Sequence, residues 1–252
     1  VTSSDHSVQF RLIGPGRAGA SLLAALESTS WHCREVLGRC DEVLKAGIGV
    51  DAVILAVPDD AIASVAAAIE PSEAVLIHLS GAKTLDVLAP HDLRASVHPL
   101  VSLPDAAVGA KRLRDNCTFA VAGHRMATEL VEALGGRPIA VPGEHRAAYH
   151  AAAAIAANHL VVLCAQIERI AVGVGIPADR YWDLMATTLD NVRSSGAMAS
   201  LTGPAARGDH HTIVSHLAAL APEEHELYLA LCRAAAELGG QPPYRHDHER
   251  GG

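Results

Sequence analysis

Large rings are scarce in this chain: two Phe, two Trp and four Tyr make up 3% of its 252 residues. Half of the residues are hydrophobic, and much of that share is alanine. Such a composition favours closely packed helices over a core built on aromatic side chains. Positive charge is also short, with a formal net charge of −8. That argues against a nucleic-acid binder, which needs a basic face to displace counterions. Lysine occurs only as Lys45, Lys83 and Lys111, so a buried catalytic lysine has few candidates. The five cysteines (Cys33, Cys40, Cys117, Cys164 and Cys232) are odd in number and form no CxxC pair. They read as reduced, mostly buried thiols of a cytoplasmic protein. No charged-then-apolar leader opens the sequence, so a signal peptide is not expected. The most apolar stretch, 147–166, is long enough to raise the question of a membrane span. It carries His150, Asn158 and His159 among many alanines, and the reading is a buried helix with no membrane partner.

What is present is alternation. From Val8 to Pro142, short apolar runs alternate with helix-like segments, as in βαβ units with a largely parallel sheet. Strands are expected at 8–13, weakly at 34–37, at 51–57, 74–79, 95–97, 118–121 and 138–140. Helices are expected at 18–28, 61–69 and 125–134. After Pro142-Gly143 the strand signals stop. Helical spacing then covers 144–172, 179–194, 212–220 and 223–238, with Pro222 suited to a first helical position. The expected organisation is an α/β domain at 6–142, an all-helical domain at 143–240 and a polar, disordered tail at 241–252.

The first strand runs into Gly14-Pro15-Gly16-Arg17-Ala18-Gly19 and then a helix. In such a turn the first glycine permits the tight bend. The second lets the backbone approach a pyrophosphate, and the third lets helix pack on sheet. The phosphates would sit against free N–H groups at the helix start. GxGxxG alone is a weak signal, but a strand before it and a helix after it make this a dinucleotide site. An NAD site usually places an acid roughly 20 residues after the motif, at the end of the second strand. This chain reads Val36-Leu37-Gly38-Arg39-Cys40 there. Arg39, helped by Arg17, could pair with a 2′-phosphate, which favours NADP over NAD. Read without a ligand, Arg39 is a solvated loop charge.

The order GPGRAG, Ile54-Leu55-Ala56-Val57-Pro58-Asp59, His78-Leu79-Ser80-Gly81-Ala82 and His98-Pro99-Leu100 resembles the 6-phosphogluconate dehydrogenase-like superfamily. Tyr149-His150-Ala151-Ala152, Asn158, and Leu201-Thr202-Gly203-Pro204 followed by Arg207-Gly208-Asp209 are similar to a narrower set. These are Rossmann-like proteins with a helical C-terminal domain of unknown function, some associated with pantothenate synthesis as alternative ketopantoate reductases. The resemblance implies a Rossmann-like domain followed by a 6-phosphogluconate dehydrogenase C-terminal-like helical domain. It also implies NADP-linked reduction of a small 2-oxo acid, ketopantoate being the most specific choice, and a homodimer through the helical half. The nicotinamide would lie near Val57, Pro58 and Ser80, and the substrate between it and the first long helix of the helical domain. Imine reduction, prephenate-type oxidation, or a dinucleotide-binding sensor without catalysis remain open on the same scaffold.

Many relatives polarise the carbonyl with a lysine and an asparagine one helical turn apart. Asn158 matches the asparagine, but the position four earlier is Ala154. His150 lies eight residues before Asn158, about 80° around an ideal helix and about 12 Å along it. His150 is the first choice as proton donor, because imidazole titrates near neutrality. His98 is the second, since its His-Pro is similar to the motif prephenate dehydrogenases use at substrate. Lys83 is the third, and also a candidate for holding substrate, while Ser80 could orient substrate or nicotinamide. Asn158, taken as buried in an alanine-rich helix, would need a polar partner. Arg207 could anchor a substrate carboxylate by a bidentate pair, or simply belong to a loop between helices. His210-His211 and His246-Asp247-His248 are dense in ligand types but lack zinc spacing, so no metal is expected. An adhesion role for Arg207-Gly208-Asp209 does not suit a cytoplasmic chain.

Overall fold

The computed structural model describes residues 7–244, so His246, Asp247, His248 and the rest of the tail beyond Tyr244 lie outside the described residues. Seven strands form one sheet in the order β2-β1-β3-β4-β5-β6-β7. They are β1 (Val8–Ile13), β2 (Trp31–Leu37), β3 (Ala52–Leu55), β4 (Val75–His78), β5 (Arg94–Pro99), β6 (Thr118–Gly123) and β7 (Arg137–Ala140). All neighbouring pairs are parallel except β5 and β6, which are antiparallel. Four helices cover the sheet segment: α1 (Arg17–Leu26), α2 (Ile62–Ala67), α3 (Ala106–Arg114) and α4 (Met126–Ala133).

The strands at the centre are buried on both faces, as parallel strands covered by helices must be. Alternate residues of one strand therefore enter different cores. Phe10, Leu12, Ile54 and Ile77 join Leu22 and Leu26 of α1 and Leu130 of α4. Ile13, Val53, Leu55 and Leu76 join Ile62 and Ala66 of α2. Helix α3 has no counterpart in the sequence reading. Its N-terminus is capped by Asp105, whose Oδ1 accepts from the Val108 N–H at 2.9 Å. It lies tight on α1: a Cβ on Gly109 would fall 2.0 Å from Ser21 Oγ.

After β7 the described chain is helical. Helix α5 (Arg146–Ala154) leads through a π-helical turn, Ile155–His159, into α6 (Leu160–Gly173). Then follow α7 (Asp179–Ser195), α8 (Ala197–Ser200), α9 (His210–Ala219) and α10 (His225–Leu238). By compactness the chain divides after Asn158 into two units. The second has a small core of its own, with Ile213, Leu217 and Cys232 around Ala205.

The stretch at 147–166, expected to be a buried helix, is helical but mostly exposed. The run from Gly143 to Gly173 is the one described helix long and apolar enough to cross a membrane, and only 6% of its most apolar window is buried. Side chains such as Val161 and Val162 stand in solvent. Alanine and valine content therefore reported the apolar character of this helix correctly and its burial wrongly.

Candidate active site

The carboxyl ends of β1, β3, β4 and β5 come together at one edge of the sheet, where open α/β folds bind ligands. The register sets Ile13 beside Leu55, Leu55 beside His78, and His78 beside Ser96. Each strand then delivers its following loop to the same place.

The glycine turn leaves β1 first. Gly14 has φ +97°, and a Cβ there would lie 2.6 Å from the Ala56 carbonyl oxygen and 3.0 Å from Val57 Cγ1. The turn and the Val57-Pro58 segment after β3 are thus in direct contact, as a shared cofactor site requires. Gly19 presses on the turn from the helix side, where an added Cβ would meet Gly14 O at 2.2 Å. Gly16 differs: nothing lies within 4 Å of its would-be Cβ. It is the N-cap of α1 and no side chain caps the helix there. A dinucleotide pyrophosphate fits this cradle, with open backbone at Gly16 and the first-turn N–H groups of Arg17, Ala18 and Gly19 on its helix side. Pro15, Gly16, Arg17 and Arg39 are all exposed. The Gly14 N–H donates to Leu37 O at 2.9 Å, which brings the end of β2, and Arg39 two residues on, next to the turn. The first acid in this loop, Asp41, accepts from the Gly38 N–H at 2.7 Å.

A polar cluster fills the neighbouring loops. Ser80, just past β4, donates its hydroxyl to Asp59 Oδ2 at 2.7 Å. Its Oγ also accepts from the Ala82 and Lys83 N–H groups at 3.2 and 3.1 Å. The Ser80 N–H donates to His78 Nδ1 at 3.2 Å, and the Ser80 carbonyl accepts from Arg146 Nη2 at 2.7 Å. Every polar group of Ser80 is therefore engaged, and the residue is a junction holding the β3 and β4 loops to α5. Lys83 shares this loop, with its side chain half-buried.

Arg146, Tyr149 and His150 lie at i, i+3 and i+4 on α5, hence on one face of the helix. Arg146 is only 1% exposed, and its Nε and Nη1 have no protein partner. Tyr149 Oη lies 2.8 Å from His98 Nδ1, with the two rings edge to face. His150 packs edge-on against His98 from the same helix, ring centroids 5.9 Å apart. Both imidazoles crowd Gly81. A Cβ there would lie 2.6 Å from His150 Cδ2 and 2.9 Å from His98 Nε2, so only glycine lets β4, β5 and α5 close on one another here.

Burial governs the charges of this cluster. It pulls His98 down to about 4, with the charges of His150 and Arg146 acting the same way and Asp59 opposing. His78 is likewise pulled down to about 4, first by burial and then by Arg146. Both are neutral at pH 7. Burial thus disfavours the protonated form of His98, in which it would act as the acid. Burial pushes the Tyr149 phenol up more than Arg146 pulls it down. Arg146 itself is lowered by burial while Tyr149 and Asp59 support its charge.

Of the residues singled out from the sequence, the structure gathers Gly14 to Gly19, Val57, Pro58, Ser80, Lys83, His98 and His150 along one sheet edge. Asn158 is exposed, so the expectation of a buried amide in need of a partner is corrected. It also sits in the π-helical turn, which accommodates an extra residue and shifts the helix phase by up to about 100°. The ideal-helix offset from His150 does not hold. Arg207 belongs to the second unit and is exposed. It donates to the Thr202 carbonyl within its own loop, while Asp209 caps α9 by accepting from the Thr212 N–H at 3.0 Å. Among the described residues no group of three or more His, Cys, Asp or Glu is placed to hold a metal ion. The sequence reading missed Asp59, Arg146 and Tyr149 as site residues. The signal available was the i, i+3, i+4 spacing of three polar side chains entering an alanine-rich helix.

Residues 118–235 match a family described as a domain of unknown function, DUF2520. No curated protein matches the chain. Among solved structures the chain is similar to a protein from Thermotoga maritima, at 22% identity over 96% of this chain and 99% of that one, with a TM-score of 0.69. It is similar to a provisionally assigned NADP oxidoreductase from Bacteroides fragilis, at 20% identity over 93% and 100% of the two chains, TM-score 0.78. A third is pyrroline carboxylate reductase from Plasmodium falciparum with NADP bound, at 12% identity over 93% and 99%, TM-score 0.59. At these identities the likeness is one of fold. A Rossmann-like sheet followed by a helical region, the architecture implied by the resemblance to the 6-phosphogluconate dehydrogenase-like superfamily, is the one found.

Proposed function

We propose that the chain is an NADP-dependent oxidoreductase that reduces a small carbonyl compound, with 2-oxo acids as the first class to test. The observation that carries this reading is the sharing of one sheet edge by an open glycine cradle and a polar cluster built on buried Ser80 and Arg146. A bound nicotinamide dinucleotide would supply the hydride. The chain's own residues then have limited tasks: to place the carbonyl carbon, polarise its oxygen and deliver a proton. Gly14 to Gly19 would hold the pyrophosphate, and Val57 and Pro58 would flank the nicotinamide half. Ser80, locked by Asp59 and Arg146, would keep the β4 loop rigid beneath the substrate. Lys83 offers a cation for an anionic substrate group, and Asn158 is a further candidate. Within 2-oxo acids, ketopantoate rests on the sequence resemblance alone.

NADPH oxidation measured against a panel of 2-oxo acids, cyclic imines and prephenate (with NADP) tests the reading. Turnover of an imine but no oxo acid would move the chain to imine reduction, and tight binding without turnover would favour a sensor. Arg39→Ala is expected to raise the Kd for NADPH about tenfold while leaving that for NADH unchanged. That is the effect of losing one charge-assisted contact to a 2′-phosphate. Equal loss for both dinucleotides, read by fluorescence titration, would remove Arg39 from the selectivity role.

We further propose a cytoplasmic homodimer paired through the helical half. All five cysteines are free, and large apolar side chains stand exposed on α6 and α7, among them Val161 at 66% and Leu184 at 63%. Contiguous exposed apolar surface marks an association site, and these side chains are the candidates for it. Sedimentation equilibrium is expected to give a dimer, and the double variant Val161→Glu with Leu184→Glu a monomer. A monomeric native protein would refute the pairing.

A further inference from the structure

We propose that Tyr149 is the group that delivers the proton, with His98 as its hydrogen-bond partner and Arg146 as the buried cation of the same helix face. The proposal rests on the reductase reading above. Its basis is the geometry of α5 against β5: Tyr149 Oη is 2.8 Å from His98 Nδ1, the rings meet edge to face, and both residues are only partly buried. Partial exposure leaves the phenol within reach of a ligand, whereas Arg146 beneath it is closed off from solvent.

The protonation states decide which of the two is the acid. The groups facing the pair are Arg146 and His150 from α5, Asp59 after β3, His78 at the end of β4 and Cys117 before β6. Together with burial they leave His98 neutral and the phenol protonated at pH 7. A neutral imidazole that gives up its remaining proton becomes an imidazolate, a far costlier anion than a phenolate. In the Nδ1–H tautomer, His98 donates to the phenol oxygen, which turns the phenol hydrogen outward to another acceptor.

A reduced nicotinamide dinucleotide held at the glycine turn would supply the hydride for the new C–H bond at the carbonyl carbon, losing its own C–H bond and becoming the oxidised form. The carbonyl π bond opens and its electron pair takes the phenolic proton of Tyr149, giving the hydroxyl. The Tyr149 oxygen keeps the pair of its broken O–H bond. The resulting phenolate is held by the His98 Nδ1–H and the nearby Arg146 charge, then regains a proton from water. In this arrangement Arg146 is a positioning residue: it touches Ser80 and not the substrate.

Tyr149→Phe retains the ring against His98 and removes only the hydroxyl. It is expected to lower kcat by about 100-fold or more, the usual worth of a placed general acid. The Kd for NADPH, read by fluorescence, should be unchanged, and KM should change far less than kcat. Turnover within threefold of the native enzyme would overturn the assignment while leaving the reductase reading intact. A native protein that binds NADPH but reduces nothing would fail at the earlier reading instead. A measurement independent of turnover keeps the two apart. In nitrogen-15 NMR of labelled histidine, the His98 Nδ1 resonance should move in Tyr149→Phe, with His98 neutral down to pH 5 in the native protein. An unmoved resonance would show that the pair does not exist and would overturn the proposal whatever the activity.

Discussion

Gly16→Asp is expected to raise the Kd for NADPH at least about 100-fold while leaving the melting temperature unchanged or slightly higher. The two effects separate because of what surrounds the residue. Gly16 has φ −71° and ψ −174°, an extended conformation open to any side chain, and no atom lies within 4 Å of its would-be Cβ. The fold therefore has no steric objection. Gly16 is also the N-cap of α1 without a side-chain cap, the position where aspartate in place of glycine gains roughly a few tenths of a kcal/mol. Dinucleotide binding meets the opposite situation. The new carboxylate would enter the space the pyrophosphate needs and set like charge against it, which costs several kcal/mol in a desolvated contact, and about 2.7 kcal/mol is already a hundredfold. Fluorescence titration with NADPH and a thermal melt on the same sample are the checks. Binding that survives the substitution would place the dinucleotide elsewhere. At Gly19 the outcome could not be separated in this way, because a Cβ there collides with Gly14 O and the fold itself closes that space.

The second large effect is a loss of stability in mild acid. His78 and His98 each fall from 6.5 to about 4 on folding. Between those values the unfolded chain binds more protons than the folded one, so stability falls as the pH drops through 6.5 and levels off below 4. At pH 5 each histidine would cost about 2 kcal/mol by this linkage. His98 keeps some access to solvent, which trims its share, and about 3 kcal/mol for the pair is the expected total. Urea unfolding at pH 7.5 and at pH 5.0 measures it directly. His78→Asn should remove part of the pH dependence, whereas equal stability of the native protein at both pH values would contradict neutral burial of the pair. Acid sensitivity of this kind arises from the same desolvation that keeps His98 neutral beside Tyr149.

Several elements were plain in the sequence because their causes are local. The run from Val8 to Gly19 needs only an apolar strand, three glycines and a helical continuation. Both β3 and β4 read as buried because every residue in them is apolar except His78 at the end of β4. Helix α3 was invisible because its second half is Lys111, Arg112 and Arg114, which blurs the apolar stripe. Asp105 before it was a usable capping signal. The length of β2 was underestimated because five of its seven residues are exposed or half-exposed, and the strand is held by its pairing with β1. The reversal of β6 against β5 leaves no mark in either strand's composition.

By itself the sequence determined the glycine cradle, the arginine where an acid would select NAD, and the succession of sheet and helical halves. These depend on backbone sterics and residue order over short spans. Only the tertiary structure decided which polar residues meet: Asp59, Ser80, His98, Arg146 and Tyr149 are drawn from three strand ends and a helix nearly a hundred residues apart. It also decided their charges, since burial and the neighbouring Arg146 and His150 set the state of His98. The exposure of 147–166 was a tertiary outcome for the same reason: an apolar helix is buried only where the rest of the chain, or a second copy of it, supplies a surface to cover it.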